Sequence, residues 1–404
     1  MHRRFRIAVV SSTWPRLTAL AISAFTFLIP QAVCAVTYQA HLLQPLSGFP
    51  TIASLAISGS SQVGYALDLA SDTDRSRALL WNGIHENPVD LHPAEFYHSF
   101  ASDIEGNNQV GYGRTTPNIV GPSHALLWTG FSDRFVDLHP SGFNTSFALG
   151  VSGTYQVGQG EGPSTGGNGH ALLWNGTAES IVDLHPPGFD VSMANAIWEN
   201  NQVGSGYAFA TGGTHANHAL LWTGTASGVV DLQPSGFENS YAIDVWANYQ
   251  VGAGEGPATD LNRHALLWNG TAGSVVDLNP IGFLHSIARG ISQAGQVGHG
   301  LSRKAKHSYE EHALLWNGTA ESVLDLHTFL DDLPVKFIGS AAFGIDENGT
   351  IVGSADDENF RRYPVIWTLV PEPSSMAILC CGVIGAAILT QRKRAELSCR
   401  IKAE

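Results

Sequence analysis

The central part of this 404-residue chain contains no cysteine. The four cysteines lie near the two ends, at Cys34, Cys380, Cys381 and Cys399. Their absence from residues 36–370 excludes a disulfide scaffold, a thiol nucleophile and a thiolate metal site there. A domain in that region must therefore be held together by a packed core, and the 44% content of hydrophobic residues is enough to build one.

Basic residues are also scarce in the central part. Residues 36–370 contain 12 Lys and Arg against 32 Asp and Glu, a formal charge of −20. Phosphate binding needs a positive surface, so this balance argues against nucleic acid as a partner. Glycine is plentiful, with 44 residues, and favours an all-β protein with many turns.

The first 35 residues have the three parts of a secretory signal peptide. A basic start precedes an apolar run at 17–30, and the small residues of Gln31-Ala-Val-Cys-Ala35 follow. We expect cleavage after Ala35. Two alternatives remain open, namely lipoprotein cleavage before Cys34 and an uncleaved membrane anchor.

The C-terminal end also has three parts. Pro371-Glu372-Pro373 precedes an apolar run, and a basic cluster follows at Arg392, Lys393 and Arg394. The run predicts a transmembrane helix at 374–390. Because basic flanks stay in the cytoplasm, we expect residues 395–404 to form a cytoplasmic tail.

Residues 370–394 resemble the PEP-CTERM sorting signal, in which the same three parts occur in the same order at the C-terminus. Exosortase-type membrane proteases of Gram-negative bacteria read that signal. The resemblance implies an exosortase-like protease as a partner, cleavage near Pro-Glu-Pro, and association with the cell envelope, exopolysaccharide and biofilm. A plain C-terminal membrane anchor is the alternative.

Between the two ends, one unit of about 47 residues occurs seven times. The phrase His-Ala-Leu-Leu-Trp, or a variant of it, recurs at intervals of 46 to 51 residues, and Gln-Val-Gly and Val-Asp-Leu-His-Pro keep the same interval. The tryptophans that end the phrase are Trp81, Trp128, Trp174, Trp222, Trp268, Trp316 and Trp367.

Each unit predicts four short antiparallel strands, which is the size of one propeller blade. The sequence therefore predicts an all-β fold, a seven-bladed β-propeller over residues 36–369. The seventh unit ends after its third strand, and residues 37–45 look like an unassigned fourth strand. We expect that strand to pair with the segment 365–369 and close the ring. An open β-solenoid is the alternative.

The units resemble the extracellular HAF repeat family, which is named for a His-Ala-Phe motif. The matching phrase is His-Ala-Leu, with leucine in place of phenylalanine, at His124, His170, His218, His264 and His312. The resemblance implies an exported repeat protein and no particular reaction.

The repeated histidines and aspartates are expected to be structural, because a catalytic site needs unlike residues that converge at one place. No such set is evident, so the sequence predicts a non-catalytic binding or scaffolding protein of the cell envelope that is not an enzyme and needs no cofactor. Two alternatives remain, a propeller lyase or hydrolase acting on extracellular polysaccharide, and a purely structural surface protein.

The predicted binding face carries the connections between second and third strands, because these loops vary most. Its candidate residues for a glycan or protein ligand are Tyr112, Glu161, Tyr207 and Glu255. Acidic side chains of the first and seventh units are weaker candidates for a Ca²⁺ site. They are Asp68, Asp72, Asp74, Asp356, Asp357 and Glu358.

Overall fold

The structure is a computed structural model that describes residues 36–68, 75–117, 121–209, 215–305 and 308–371. The predicted signal peptide with its cleavage site at Ala35 lies outside these ranges. So do Glu372, Pro373, the predicted helix at 374–390 and the basic cluster at 392–394. None of the helices within the described ranges has the length and apolar character needed to cross a membrane.

Within the described ranges, twenty-eight strands follow the period of the sequence. The first three units and the strand before them comprise β1 (Tyr38–Leu42), β2 (Thr51–Ser58), β3 (Ser61–Asp68), β4 (Arg75–Asn82), β5 (Val89–Asp90), β6 (His98–Glu105), β7 (Asn108–Arg114), β8 (Ser123–Thr129), β9 (Phe135–Asp137), β10 (Thr145–Ser152), β11 (Tyr155–Glu161), β12 (Gly169–Trp174) and β13 (Val182–Asp183).

The remaining four units comprise β14 (Val191–Trp198), β15 (Asn201–Phe209), β16 (His215–Trp222), β17 (Val230–Asp231), β18 (Asn239–Trp246), β19 (Tyr249–Glu255), β20 (His264–Asn269), β21 (Val276–Asp277), β22 (Phe283–Ser292), β23 (Gly295–Ala305), β24 (Ser308–Trp316), β25 (Leu324–Asp325), β26 (Phe337–Ile345), β27 (Ile351–Asp357) and β28 (Arg362–Leu369). Short 3-10 helices lie in the connections at Pro163–Thr165, Ala178–Ser180, Ala226–Gly228, Pro257–Thr259, Ala272–Ser274, Ala320–Ser322 and Leu326–Leu330.

Strands that follow one another within a unit pair antiparallel. The third to sixth units form separate four-stranded sheets. The other strands belong to one 12-stranded sheet, in which single parallel bridges, Ser76 to His98 and Thr51 to Arg362, join neighbouring units. The expected all-β architecture of four-stranded antiparallel sheets is confirmed.

The first strand of the described chain completes the last sheet. β1 pairs antiparallel with β28, with Tyr38 opposite Leu369 and Leu42 opposite Val365. The pairing expected between 37–45 and 365–369 is therefore present. The first strand of each unit, called here the inner strand, contacts the inner strand of the next unit, and β26 contacts β2.

The core lies between neighbouring sheets. All seven repeated tryptophans are fully buried. One typical cluster joins Val110 and Leu127 of the second unit to Ala148, Leu172 and Trp174 of the third. Because each sheet is covered on both faces, its third strand reads as an unbroken apolar run instead of an alternating one.

The glycine of Gln-Val-Gly determines the shape of each inner strand. A Cβ on Gly111 would lie 1.9 Å from the carbonyl oxygen of Phe100, and the six equivalent glycines have the same close approach, at 1.8 to 2.0 Å. Beside this contact, every inner strand has a β-bulge that leaves one residue unpaired. A bulge redirects the side chain of the extra residue.

A hydrogen-bonded histidine connects the second unit to the third. The Nδ1 atom of His139 lies 2.8 Å from Ser146 Oγ, which accepts a bond from the backbone N–H of Ala125. His139 Nε2 lies 3.2 Å from the carbonyl oxygen of Phe143. A carbonyl only accepts, so Nε2 carries the proton and Nδ1 accepts from the serine.

Two units use an amide at the same place. Gln233 accepts from Ser240 through Oε1 and donates from Nε2 to the carbonyl of Phe237. Asn279 makes the equivalent two bonds with Ser286 and Phe283. The degeneration of His-Pro to Gln-Pro and Asn-Pro therefore preserves one acceptor and one donor.

The histidines of the third strands have a second structural role. Each pairs through Nδ1 with the repeated aspartate of its own unit, at 2.7 or 2.8 Å. The other oxygen of that aspartate accepts the backbone N–H two residues later, as Asp137 does from His139. The pairs are His124–Asp137, His170–Asp183, His218–Asp231, His264–Asp277 and His312–Asp325.

Removing residues 36–44 is expected to lower the free energy of unfolding by about 5 kcal/mol. The loss would expose the edge of β28 and the pockets of Tyr38, Ala40 and Leu43, which are all buried. Urea unfolding of chains that start at residue 36 and at residue 45 measures the difference. Equal midpoints would show that β1 does not contribute to the stability of the last sheet.

Acid is expected to destabilise the protein through the histidines between units. Burial lowers the pKa of His92 to about 4, and it also lowers the pKa values of His139, His185 and His327. A histidine whose pKa is lower in the folded state contributes its full stabilisation of the fold at pH values above its ordinary pKa of about 6.5. That contribution is lost as the pH falls toward 4.

The matched variants for this prediction are H92Q and H92A. H92Q copies Gln233 and should weaken the pH dependence of unfolding between pH 6.5 and 4, because one fewer proton is taken up on unfolding. H92A should cost about 1–3 kcal/mol above pH 6.5, since it leaves Ser99 without this partner, and the cost should shrink as the pH falls toward 4. Unfolding curves at several pH values would refute the account if H92Q kept the wild-type slope.

Candidate active site

A cavity of about 450 Å³ lies where the seven inner strands meet. Its walls include, from each inner strand, the unpaired residue of the bulge beside the Gln-Val-Gly contact, so these bulges place seven side chains in one space. We call it the axial cavity. The seven bulge residues are Leu55, Ser102, Leu149, Asn195, Ile243, Arg289 and Phe343.

The residue after the bulge separates two units from the other five. It is alanine or glycine at Ala56, Gly150, Ala196, Gly290 and Gly344. It is aspartate in the second and fifth units, at Asp103 and Asp244, and both line the axial cavity. Two carboxyl groups therefore face one cavity from separate sheets.

Each of these carboxyl groups holds two backbone N–H groups. Asp103 accepts from Ile104 and from Val151 of the next unit, at 2.8 and 2.9 Å. Asp244 accepts from Val245 and from Ile291 of the next unit, at the same two distances. The bonds fix both side chains and leave a second lone pair on each oxygen for a proton or a ligand.

Burial dominates the titration of both groups. It raises the pKa of Asp103 to about 7, although the two N–H donors oppose the shift, and the negative charges of Asp244 and Glu105 raise it further. Burial raises the pKa of Asp244 to about 6, again against its two donors. Near neutral pH this cavity therefore holds carboxyl groups in both protonation states, which acid–base catalysis requires.

Among the described residues that line the axial cavity, Arg289 is the only basic one. Its guanidinium lies 5.7 Å from the ring centre of Phe343, and its Nε donates to His299 Nδ1 at 3.4 Å. His299 in turn lies 3.2 Å from Glu311. Burial lowers the pKa of His299 to about 3, so this histidine is neutral and can accept the bond from Arg289.

The rim of the axial cavity is aromatic on one side. Trp198 and Trp246 end the inner strands of the fourth and fifth units and line the cavity. The other five units carry Ser58, Glu105, Ser152, Ser292 and Asp346 at this place. Two half-buried indoles next to carboxyl groups offer flat apolar surface and hydrogen-bond acceptors together, which suits a sugar ring.

The axial cavity opens among the turns that join first and second strands, since Gly59, Glu347 and Asn348 also line it. The predicted binding face lies at the other end of the strands, and its four candidate residues do not line this cavity. Tyr112 stacks on Phe100 with ring centres 4.9 Å apart.

The other three candidates lie at the ends of second strands. Glu161 is exposed, Tyr207 is half-buried, and Glu255 is ion-paired with Arg263 at 3.1 Å. Each belongs to a different unit. The ligand role expected for Tyr112, Glu161, Tyr207 and Glu255 stays a prediction.

Three of the acidic candidates for a calcium site lie in the described ranges with ion pairs or hydrogen bonds to protein groups. Asp68 pairs with Arg75 at 2.9 Å, and Asp356 pairs with Arg362 at 2.8 Å. Asp357 accepts from the backbone of Asn359 and Arg361 and so closes a turn.

Of the other calcium candidates, Glu358 is exposed, and Asp72 and Asp74 lie outside the described residues. In the part of the chain that the structure describes, no three His, Cys, Asp or Glu side chains are placed to hold a metal ion.

Neither a family model nor a curated protein matches the chain in sequence. Solved structures match in shape. The β-propeller domain of the Trilobed protease from Pyrococcus furiosus is 10% identical, with a TM-score of 0.54 over 80% of this chain and 98% of that domain.

Two further matches are enzymes. A puromycin-hydrolyzing peptidase from Mycobacterium tuberculosis is 10% identical, with a TM-score of 0.50 over 81% of this chain, which spans about half (53%) of the peptidase. Oligogalacturonate lyase from Vibrio parahaemolyticus is 8% identical, with a TM-score of 0.45 over 84% of this chain and 98% of the lyase. At these identities the likeness shows the fold alone, which is that of a β-propeller.

The matches contradict the prediction that the chain is not an enzyme. The structures that share its fold are mostly enzymes or domains of enzymes. The structure supplies the physical reason. Loop variability placed the candidate residues in the connections between second and third strands, whereas Asp103 and Asp244 lie inside inner strands. Their signal was available, since they interrupt a position that is otherwise alanine or glycine.

Proposed function

We propose that the chain is a β-propeller enzyme that hydrolyses an extracellular polysaccharide, with the axial cavity as its substrate site. The observation that carries the proposal is the pair of carboxyl groups, Asp103 and Asp244, which face one cavity with raised pKa values. Most glycoside hydrolases use two carboxyl groups, one as the acid and one as the base or nucleophile. The described residues that line the cavity include no histidine, which disfavours a serine–histidine mechanism among them.

We assign the acid role to Asp103, because the nearby negative charge of Glu105 favours its protonated form. Asp103 donates its proton to the glycosidic oxygen as the bond from the anomeric carbon to that oxygen breaks. Asp244, as the carboxylate, takes a proton from the water whose oxygen adds to the anomeric carbon. One water is consumed, and the two carboxyl groups exchange their protonation states and then re-equilibrate with solvent.

Trp198 and Trp246 supply the binding surface for the sugar next to the cleaved bond. Stacking on an indole buries the apolar face of a sugar ring and leaves its hydroxyl groups free for hydrogen bonds. Because the two tryptophans belong to neighbouring inner strands, a polysaccharide would cross the rim over the fourth and fifth units.

The same proposal includes a closed ring of seven blades. The pairing of β1 with β28 and the contact of β26 with β2 support closure, since both connect the last unit to the start of the chain. A closed ring holds Asp103 and Asp244 across a common axis although 141 positions separate them in the sequence.

Export is the third part of the proposal. The signal-peptide pattern at 1–35 and the PEP-CTERM-like tail at 370–394 support a mature protein outside the cytoplasm that an exosortase-like protease releases or attaches at the cell envelope. A polysaccharide of the cell surface or biofilm would then be within reach of the enzyme.

D103N and D244N are each expected to lower kcat on the substrate by about 10²-fold or more, because each removes one proton-transfer group. Wild-type activity should follow a bell-shaped pH profile. It falls above about 7 as the acid of the pair loses its proton and below about 6 as the base gains one. Reducing-end release from a neutral glucan, an N-acetylglucosamine polymer and a polyuronate measures both effects.

The controls separate catalysis from stability. D103A and D244A carry a residue that other units tolerate at the same position, and thermal unfolding shows what the lost hydrogen bonds cost. W198A and W246A should raise KM about tenfold or more with a smaller effect on kcat. The proposal fails if all Asp variants retain kcat while losing stability, since the carboxylates would then only connect sheets.

Mass spectrometry of the protein from a host with an exosortase-like protease tests its export. The mature chain should begin at Val36 and end near Pro373. The double variant P371A/P373A should retain the apolar segment and the basic cluster, because the expected recognition motif is lost. An unprocessed C-terminus in the wild-type protein would point to a plain membrane anchor.

A further inference from the structure

We propose that the side of the propeller on which the axial cavity opens lies against the lipid bilayer while the C-terminal tail is attached, and that cleavage of the tail gives polymers access to the site. This inference rests on the proposed hydrolase function and on the proposed export, and it concerns the regulation of the site. It follows from the side on which the chain leaves the last sheet.

The first and last strands have their outer ends on the same side of the last sheet. Tyr38 of β1 lies opposite Leu369 of β28, and the backbone N–H of Val370 donates to the carbonyl oxygen of Thr37 at 2.9 Å. These contacts fix the direction of the chain as far as Val370. Residues 36 and 371 therefore leave the sheet side by side.

The axial cavity opens on this same side, which we call the mouth face. β27 and β28 are antiparallel, with Ile351 opposite Trp367, so β28 ends beside the turn that precedes β27. Residues 346–348 of that turn line the cavity. The first strand lies close to the same turn, since burial and the nearby charge of Asp346 raise the pKa of Tyr38.

The tail is too short to hold the mouth face away from a membrane. The predicted apolar segment begins at residue 374, three positions after Pro371. An extended chain spans ~10 Å over three positions at most. The headgroup layer on one side of a bilayer takes about 5–8 Å of that distance. Where the chain leaves β28, the mouth face therefore stands almost in contact with the headgroups.

A polysaccharide needs more room than this arrangement provides. In the proposed function it crosses the rim at Trp198 and Trp246, and both tryptophans end inner strands on the mouth face. A bilayer beside this rim excludes a polymer coil by its size, whereas a short oligosaccharide still diffuses to Asp103 and Asp244. Cleavage near Pro373 removes the obstacle without any change inside the propeller.

Reconstitution into liposomes tests this exclusion. The full chain, produced without an exosortase-like protease so that it keeps its tail, is assayed in liposomes and in detergent, with rates normalised to the molecules on the outer surface. The polymer that is cleaved in solution should be hydrolysed at least tenfold more slowly in liposomes, whereas a trisaccharide of the same sugar should change less than twofold.

The outcomes separate the regulation from the reaction. Equal polymer rates in liposomes and in detergent would overturn the inference and leave the hydrolase function standing. An equal loss for the trisaccharide would contradict exclusion by size. No product from any substrate, in liposomes or in detergent, would remove the hydrolase function itself.

A linker variant separates distance from attachment. A flexible Gly/Ser insert of about 20 residues between Pro373 and Ser374 has an r.m.s. length of ~25 Å and should restore the polymer rate in liposomes to within about twofold of the rate in detergent. The matched control carries the same insert between Arg394 and Ala395, beyond the apolar segment, and should stay slow. Equal rates for the two inserts would show that the short tether does not hold the mouth face at the bilayer.

Fluorescence quenching tests the orientation without any assay of activity. Glu347 on the mouth face and Glu161 at the far end of β11 are both exposed, and E347C and E161C provide matched sites for a dye. β11 has seven residues, so Glu161 lies ~24 Å further from the bilayer. The tail cysteines are first replaced, by C380S, C381S and C399S.

A quencher attached to lipid headgroups should quench the dye at E347C at least threefold more strongly than the dye at E161C. Equal quenching at the two sites would overturn the proposed orientation, whatever the hydrolysis assays show.

Discussion

The structure depends on the close approach of two strands at the glycine of Gln-Val-Gly. No side chain fits there, because a Cβ would lie within 2.0 Å of a backbone carbonyl oxygen in every unit. The approach accompanies a bulge in the inner strand, and the bulge turns one residue per unit into the axial cavity. Close strand packing in the repeat therefore provides one bulge position per unit, and the residue type at these seven positions varies from unit to unit. The chemistry of the cavity lies in and directly beside these positions.

Much of the fold could be predicted because burial repeats with the sequence. The run Ala-Leu-Leu-Trp is the pattern of a strand covered on both faces, and the unassigned segment 37–45 predicts a partner in the incomplete last unit. Both follow from local pattern and strand pairing. The exchange of His139 for Gln233 or Asn279 in other units appears in the sequence as degeneration, although hydrogen bonding makes the three residues equivalent.

The candidate site was harder to predict, for a physical reason. Asp103 and Asp244 are far apart in sequence and belong to strands that otherwise carry small residues. Only the arrangement of the inner strands around one axis brings them to the same cavity, and burial there is the main cause of their raised pKa values. The variable loops predict a binding site on the opposite face, where Glu255 is ion-paired and Tyr112 is packed against Phe100. Variability within the inner strands, at the bulge and one residue beyond it, was the more informative signal.

The uneven use of imidazole and amide between units has a mechanical consequence. His92, His139 and His185 connect the first four units, and His327 connects the sixth to the seventh, so protonation weakens these junctions. Gln233 and Asn279 connect the fourth, fifth and sixth units with groups that do not titrate. At acidic pH, the contacts within one arc of the molecule, the junctions that contain histidine, would weaken. The contacts within the other arc, the fourth to sixth units, would keep their strength. The rigid arc carries Trp198, Trp246 and Asp244, whereas Asp103 lies in the arc that yields.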